Sequence, residues 1–266
     1  MEFKDILLHI DETPQCASRI EVAVQLARQH GACLTGVFVM NQPPYATQYE
    51  SRKMPALAAE EKFREAMEKA DVPADWILAD WWGAGAGMDE ILNHYAHTRD
   101  LLIVGQAGAE GPGPPADLPE KVVFGSGRPV LIVPFAGRFT TVGTCSLVAW
   151  RGGRASARAV HDSLPLLKHS EKIYALSIKV PGESQPYPTS GDIGSNLKRH
   201  GLPCVGEEIT AADIPVANML MNFAWEKGCD LLVVGVHVQS AGKKVVLGPV
   251  GRQLLKDMTL PVLMSY

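Results

Sequence analysis

The sequence predicts an α/β protein built from two doubly wound, parallel, five-stranded sheets. Two observations carry this prediction: short apolar runs alternate with longer segments of helical period, and pairs of sequence words recur in the two halves of the chain. With 266 residues, the chain is long enough for one large domain or two small ones. Apolar strands that alternate with helices are typical of a parallel sheet covered on both faces.

The repeat consists of two short sequence motifs, each called a word below. Asp-Leu-Leu-Ile-Val-Gly at 100–105 recurs as Asp-Leu-Leu-Val-Val-Gly at 230–235, and Pro-Val-Leu-Ile at 129–132 recurs as Pro-Val-Leu-Met at 261–264. Because both words recur in the same order at nearly the same spacing, they indicate a duplicated domain of about 130 residues. We therefore predict domains at residues 1–138 and 143–266, joined by a linker within 135–143.

Each predicted domain alternates strands with helices. In the first half, the pattern predicts strands at 4–10, 32–40, 74–79, 101–105 and 129–134, with helices at 14–30, 55–70, 88–97 and 118–125. In the second half, it predicts strands at 145–150, 172–178, 203–209, 230–235 and 260–265, with helices at 153–168, 190–200, 213–227 and 249–258. The first helix is expected to end at His30-Gly31, since a cationic last turn followed by glycine is a frequent helix end.

Composition and charge exclude several classes of protein. The formal net charge of −4 argues against a general nucleic-acid-binding protein, which normally carries a basic stripe. No uncharged apolar run of about 18 residues occurs, and the first residues show no secretory signal pattern. We expect a cytoplasmic protein without a nucleic-acid or membrane partner, whose five widely spaced cysteines are reduced and mostly buried.

The carboxyl ends of the predicted strands hold the candidate binding residues. In a doubly wound sheet, ligands bind beyond these ends, where the strand order reverses. Asp11 follows the first strand, and Gly105 and Gly108 form a G-x-x-G word at the end of the fourth. In the second half, Gly235 and Gly248 keep the corresponding spacing, and the residues between them are expected to form a connecting loop.

This pattern resembles the universal stress protein family, whose features are a strand ending in Asp, a later G-x-x-G, a G-[ST] word that opens a helix, and a closing P-V-L-[IV] strand. The chain is similar to a tandem member over nearly all of its length. The resemblance implies a Rossmann-like fold of the adenine-nucleotide alpha-hydrolase type in each half. It also implies that ATP or AMP is the candidate ligand, with the candidate binding residues Asp11, Gly105, Gly108, Gly235 and Gly248.

Both halves depart from the family pattern at the phosphate end. In the first half, the G-[ST] positions hold Leu118 and Pro119, so the phosphate would meet no hydroxyl group. In the second half, Val238 stands at the second glycine, Pro249 at the hydroxyl residue and Arg151 at the Asp. Valine resists the positive φ that glycine tolerates, and proline lacks an N–H donor.

Three other patterns have ordinary structural interpretations. Gly-Ser-Gly at 125–127 directly precedes a strand and is expected to be a helix exit. Trp-Trp-Gly-Ala-Gly-Ala-Gly at 81–87 lacks the spacing of the dinucleotide fingerprint and is expected to be a turn between strand and helix. His94 and His97 have a metal-compatible helical spacing, but no third ligand is evident nearby, so partly exposed helix residues are expected.

The resemblance implies a stress-response regulatory protein with degenerate nucleotide sites, which acts by binding a partner or ligand and has no catalytic or metal site. Two alternatives remain open: an ATP- or AMP-binding stress protein with a functional site in the first half, and an ATPase or dehydrogenase of the wider nucleotide-binding class. Because the family pairs its last strands and a free edge strand favours pairing, strands 129–134 and 260–265 are expected to form an internal pseudo-dimer. An unidentified protein partner and a homodimer of the whole chain are also candidates.

Overall fold

The computed structural model describes residues 2–40, 49–79, 85–108, 113–182, 188–211, 213–241 and 244–266. The chain divides into two compact units, Glu2–Thr140 and Thr141–Tyr266. Each unit contains a parallel five-stranded sheet and the helices that cover it.

The N-terminal unit, Glu2–Thr140, alternates strands and helices as predicted. Its elements are β1 (Asp5–Ile10), α1 (Cys16–His30), β2 (Cys33–Val39), α2 (Tyr49–Ala70), β3 (Ala74–Ala79), α3 (Met88–Ala96), β4 (Leu101–Gly105), α4 (Leu118–Gly125) and β5 (Val130–Val133). The strand order is β3-β2-β1-β4-β5, and neighbouring strands run parallel. The order reverses between β1 and β4, which brings the ends of these two strands together at the position where ligands enter doubly wound sheets.

The C-terminal unit, Thr141–Tyr266, repeats this topology. Its elements are β6 (Cys145–Ala149), α5 (Gly153–Leu167), β7 (Lys172–Lys179), α6 (Ser190–Arg199), β8 (Cys204–Thr210), α7 (Val216–Lys227), β9 (Leu231–Gly235), β10 (Val238–Ala241), β11 (Lys244–Leu247), α8 (Pro249–Asp257) and β12 (Val262–Ser265). The sheet order β8-β7-β6-β9-β12 corresponds strand for strand to that of the N-terminal unit. The predicted duplication of a parallel α/β fold is thereby confirmed.

The core of each unit lies between its sheet and its helices. Every residue of β4, β5, β9 and β12 is buried, which is typical of parallel strands in a covered sheet. Helix α1 ends as predicted: Gly31 adopts φ 58°, and its N–H donates to the carbonyl oxygens of Ala27 and Arg28. A left-handed residue at this position favours glycine.

Two boundaries differ from the sequence prediction. Helix α2 begins at Tyr49 and contains Pro55, whereas the predicted helix began at the proline. Pro55 has no N–H group, so it cannot donate a backbone hydrogen bond within α2. The predicted loop after Gly235 instead contains the antiparallel pair β10–β11, in register from Val238↔Leu247 to Ala241↔Lys244.

The first residue of the repeated word has the same role in both units. The Asp100 carboxylate accepts hydrogen bonds from the backbone N–H groups of Lys4 and Asp5, at 2.7 and 3.1 Å. The Asp230 carboxylate accepts three, from the N–H groups of residues 143–145, at 3.0, 3.2 and 3.0 Å. Each aspartate therefore fixes the segment that enters the first strand of its sheet.

The cysteines and helices give two further observations. All five cysteines are free thiols; Cys16 and Cys204 are buried, and the Sγ atoms of Cys145 and Cys229 lie 3.4 Å apart. Among the residues that the structure describes, no helix has the length and apolar character needed to cross a membrane.

Candidate functional site

In the N-terminal unit, the Asp11 carboxylate is bonded by its own chain. Asp11 lies directly after β1, and its Oδ2 atom accepts a hydrogen bond from the Arg19 Nη2 atom at 2.7 Å. Its Oδ1 atom accepts from the backbone N–H of Thr13 at 2.9 Å and from the Thr13 hydroxyl. Both oxygens that could accept a ligand hydroxyl are therefore already engaged.

Arg19 also lies against the end of β4. A Cβ atom added to Gly105 would stand 2.0 Å from the Arg19 Nη1 atom, so glycine at this strand end leaves the space that the guanidinium fills. Arg19 lies in the first turns of α1, and the residue as a whole is 2% exposed. The structure thus brings two predicted site residues, Asp11 and Gly105, to opposite sides of one buried arginine.

Arg19 is not among the residues predicted from the sequence to form the site, although the pattern of α1 contains a signal for it. The buried positions of α1 are Cys16, Arg19, Val22, Ala23, Leu26, Ala27 and His30. Their spacing of three and four residues is that of the face that packs on the sheet, and Arg19 is its single arginine. An arginine on such a face requires a buried acceptor, and Asp11 provides it.

His9, which lies on β1 beside this ion pair, is 1% exposed. Burial and the nearby Arg19 guanidinium lower the pKa of His9 to about 4, against the opposing attraction of Asp11, whose Oδ2 atom is 3.9 Å away. Burial acts to raise the pKa of Asp11, but Arg19, His9 and the Thr13 hydrogen bonds together hold it below its ordinary value. The buried group is therefore a neutral imidazole beside a carboxylate–guanidinium pair.

The neutral His9 predicts a loss of stability in mild acid. The unfolded chain protonates this histidine below its ordinary pKa of about 6.5, whereas the folded chain resists protonation until about pH 4. Stability is therefore complete above pH 6.5 and falls between these two pKa values, by about 2 kcal/mol at pH 5. Urea unfolding at pH 7 and pH 5 measures the difference.

The pH experiment has a matched control in the same unit. We expect His9→Gln to remove most of this pH dependence and His94→Gln, at an exposed position of α3, to retain it. His237 of the C-terminal unit, whose pKa is also lowered, contributes equally to both variants. An unchanged pH dependence in His9→Gln would show that another group carries the effect.

The start of α4 is acidic and apolar. Asp117 precedes the helix, Leu118 and Pro119 begin it as buried residues, and Glu120 follows in the first turn. The Lys121 ammonium lies 3.1 Å from the Asp117 carboxylate and offsets the negative charge of Asp117. Gly108 is exposed and is the last residue described before 113, so the predicted G-x-x-G word ends at the edge of the described segment.

The other sequence patterns have structural roles where they are described. Ser126 follows the last residue of α4, which confirms the predicted helix exit. His94 and His97 are exposed, and the His97 Nε2 atom lies 3.1 Å from the Gly125 carbonyl oxygen. Residues 81–84 of the predicted glycine-rich turn lie outside the described residues, while Gly85 has φ 66° and Gly87 precedes α3.

The C-terminal unit has a cavity of about 420 Å³ beyond the ends of its first, second and fourth strands. Gly235 and Gly248 both line it, as do Arg151 and Pro249. A Cβ atom at Gly235 would stand 2.3 Å from the Ala155 carbonyl oxygen, because the end of β9 and the first turn of α5 are in close contact. Gly248 precedes α8 with φ −62°, and its N–H donates to the His237 carbonyl oxygen at 2.8 Å.

A second cavity of about 660 Å³ adjoins the first. The two share Arg151, Val236 and His237, and the second is also lined by Arg154 and Arg158. Burial, followed by the Arg151 charge, lowers the pKa of His237. The position that corresponds to Asp11 therefore holds a cationic residue, Arg151, which lines both cavities.

Comparison with known proteins identifies the family of the second half. Residues 157–265 match the model of the universal stress protein family. They form a universal stress protein domain. A universal stress protein from Archaeoglobus fulgidus DSM 4304 superimposes with a TM-score of 0.74 at 13% identity, over 98% of this chain and 97% of that chain. The resemblance inferred from the sequence is confirmed.

Two further solved structures are similar. A functionally unknown protein from Pseudomonas aeruginosa PAO1 matches 99% of this chain and 92% of its own, with a TM-score of 0.61 and 13% identity. A universal stress protein from Archaeoglobus fulgidus in complex with dAMP matches 50% of this chain and 98% of its own, with a TM-score of 0.40 and 15% identity. Among curated proteins, no sequence matches this chain.

The end of the fourth strand is covered by different groups in the two units. In the N-terminal unit, an arginine from the first helix covers the glycine that ends the fourth strand. In the C-terminal unit, the backbone of α5 covers Gly235, and cavities remain open beside it. The described residues of the N-terminal unit therefore do not fit an adenine nucleotide in this conformation, since Arg19 fills the space between Asp11 and Gly105.

Proposed function

We propose that this protein is a non-catalytic, regulatory member of the universal stress protein type that acts by binding a ligand or partner, and that Arg19 closes its N-terminal nucleotide site. The observation that carries the proposal is the position of Arg19, which pairs with Asp11 at 2.7 Å and fills the space over Gly105. A regulatory protein of this kind needs no residue that transfers a proton or a group.

The proposed closure of the N-terminal nucleotide site depends on the energetics of the buried ion pair between Arg19 and Asp11. A nucleotide that used Asp11 would have to displace Arg19, whose side chain is 3% exposed, from the carboxylate. Separating one partner of a buried pair costs about 3–5 kcal/mol, because the remaining charge is left without compensation. That cost would weaken nucleotide binding by two orders of magnitude or more at about 1.4 kcal/mol for each factor of ten.

Nucleotide-dependent stabilisation of the full chain tests the proposal. We expect wild type to show no rise in Tm with AMP or ATP that depends on Asp11. Arg19→Ser should lower the Tm in the absence of ligand and regain part of the loss on addition of AMP, because it opens the space beside Asp11. Arg28→Ser, at an exposed position of the same helix, should change neither the Tm without ligand nor the response of the Tm to AMP.

The remaining outcomes distinguish the alternatives. A wild-type rise in Tm with AMP or ATP that Asp11→Asn abolishes would establish a functional nucleotide site in the first half and contradict the closure. At a ligand concentration of 100 times Kd, such a site would stabilise the fold by about 2.7 kcal/mol. Steady ATP hydrolysis or hydride transfer that Asp11→Asn abolishes would instead identify an enzyme.

A further inference from the structure

We propose that Cys145 and Cys229 are a site of reversible oxidation, where hydrogen peroxide converts two thiols into an intramolecular disulfide. Their Sγ atoms lie 3.4 Å apart, although the residues are 84 positions apart in the sequence. Both residues are partly exposed, and both belong to the C-terminal unit. This modification goes beyond the proposed ligand or partner binding, and it can fail while the closure by Arg19 stands.

The backbone around each cysteine keeps the two thiols together. Cys145 begins β6, where its N–H donates to the Asp230 carboxylate at 3.0 Å and its carbonyl oxygen accepts from the Asp230 N–H at 2.9 Å. Cys229 follows α7, and its N–H donates to the Ala224 carbonyl oxygen at 2.8 Å. The Cys145 thiol also lies 3.8 Å from the Lys227 carbonyl oxygen. A disulfide bond measures about 2.0 Å, so the sulfur atoms have only a short distance to close.

The surroundings give the two thiols different roles. Burial, followed by the hydrogen bond to Cys145, raises the pKa of the Cys229 thiol, so Cys229 keeps its proton. The Lys172 ammonium interacts with both cysteines: after the larger effect of Tyr174, their charges act to raise the pKa of Lys172. A thiolate on Cys145 would therefore have a cation and a thiol donor beside it. Because the thiolate is the reactive form of cysteine, we assign the first attack to Cys145.

The reaction balances with hydrogen peroxide as the oxidant. The Cys145 thiolate attacks one peroxide oxygen, the O–O bond breaks, and the departing hydroxide takes up a proton to leave as water. The Cys229 sulfur then attacks the sulfur of the resulting sulfenic acid. The S–S bond forms, the S–O bond breaks, and the Cys229 proton leaves with the oxygen as a second water. Two thiols are oxidised, and one hydrogen peroxide is reduced to two waters.

The fixed contact favours the second step. A resolving thiol that is held beside the sulfenic acid reacts within the molecule, at a high effective concentration. The pair also fits a disulfide better than a metal ion, because structural zinc sites use four ligands. Within the described part of the chain, the two thiols do not belong to a group of three or more Cys, His, Asp or Glu side chains close enough to share an ion.

Thiol titration and peptide mass spectrometry of the full chain test the site, with hydrogen peroxide as the probe. We expect oxidation to lower the number of thiols that can be titrated in the denatured wild-type chain from five to three. A non-reducing digest should contain one peptide pair joined through Cys145 and Cys229, and dithiothreitol should restore all five thiols. Cys33→Ser, at a partly exposed position of the N-terminal unit, should form the same cross-link.

Variants of the pair separate the two steps. Cys229→Ser should stop at a sulfenic acid on Cys145 and give about tenfold more dimedone adduct there than wild type, whereas Cys145→Ser should give little adduct on Cys229. Equal adducts in the two variants would overturn the assigned order of attack. The proposal itself is overturned if oxidised wild type retains five thiols, if the disulfide joins other cysteines or two chains, or if dithiothreitol does not reverse it.

Discussion

Asp230→Ala is expected to lower the free energy of unfolding by about 3 kcal/mol, because the aspartate satisfies three backbone N–H groups at once. Its carboxylate accepts from residues 143–145 at 3.0–3.2 Å, and those residues lead into β6. Hydrogen bonds to a charged group contribute about 1.5–3 kcal/mol each, and water replaces part of the loss at this half-buried position. Urea unfolding of the full chain, followed by circular dichroism, measures the change.

The duplicated chain provides matched comparisons for this prediction. Asp100→Ala removes an aspartate that accepts two N–H groups in the other unit, so its loss should be smaller, about 2 kcal/mol. Asp213→Ala removes an exposed aspartate and should change stability by less than about 0.5 kcal/mol. Equal effects of Asp230→Ala and Asp213→Ala would mean that the three hydrogen bonds add nothing to stability.

The fold could be predicted because its determinants are local in the sequence. Buried parallel strands require continuous apolar runs, as in Leu101–Gly105 and Leu231–Gly235, and helices require the longer period that surrounds them. The aspartate before each of these strands recurs because each unit needs an acceptor for the N–H groups that enter its first strand. The same structural requirement in both units therefore accounts for the sequence motif that recurs in them.

The site was only partly predictable, because its main feature depends on a contact between distant segments. Asp11, Gly105 and Gly235 are recognisable at strand ends, but nothing beside Gly105 in the sequence shows that Arg19 fills its space. Arginine is usually exposed, so a pattern analysis assigns it to solvent. Strands β10 and β11 were both missed for a related reason: each is only four residues long, and their pairing is set by cross-strand contacts.

Gly235→Ala is expected to destabilise the fold by about 3 kcal/mol, since the added Cβ atom would meet backbone rather than a movable side chain. Its three nearest atoms would be the carbonyl oxygen and carbon of Ala155 and the nitrogen of Ser156, at 2.3, 2.4 and 2.6 Å. All belong to the first turn of α5, which would have to move away from β9. Overpacking of this kind costs about 1–3 kcal/mol, and a rigid neighbour places it at the upper end.

Gly248→Ala is the matched control, because both glycines line the same cavity. Gly248 has φ −62°, and a Cβ atom there would lie 3.2 Å from the His237 carbonyl oxygen. The substitution therefore requires only a small movement of this carbonyl group and a change of the residue that caps α8. We expect a loss of about 1 kcal/mol. If Gly235→Ala proves as mild as Gly248→Ala, helix α5 can shift without penalty. A large difference would mean that Gly235 is required by the packing of helix on strand, whether or not a ligand binds beside it.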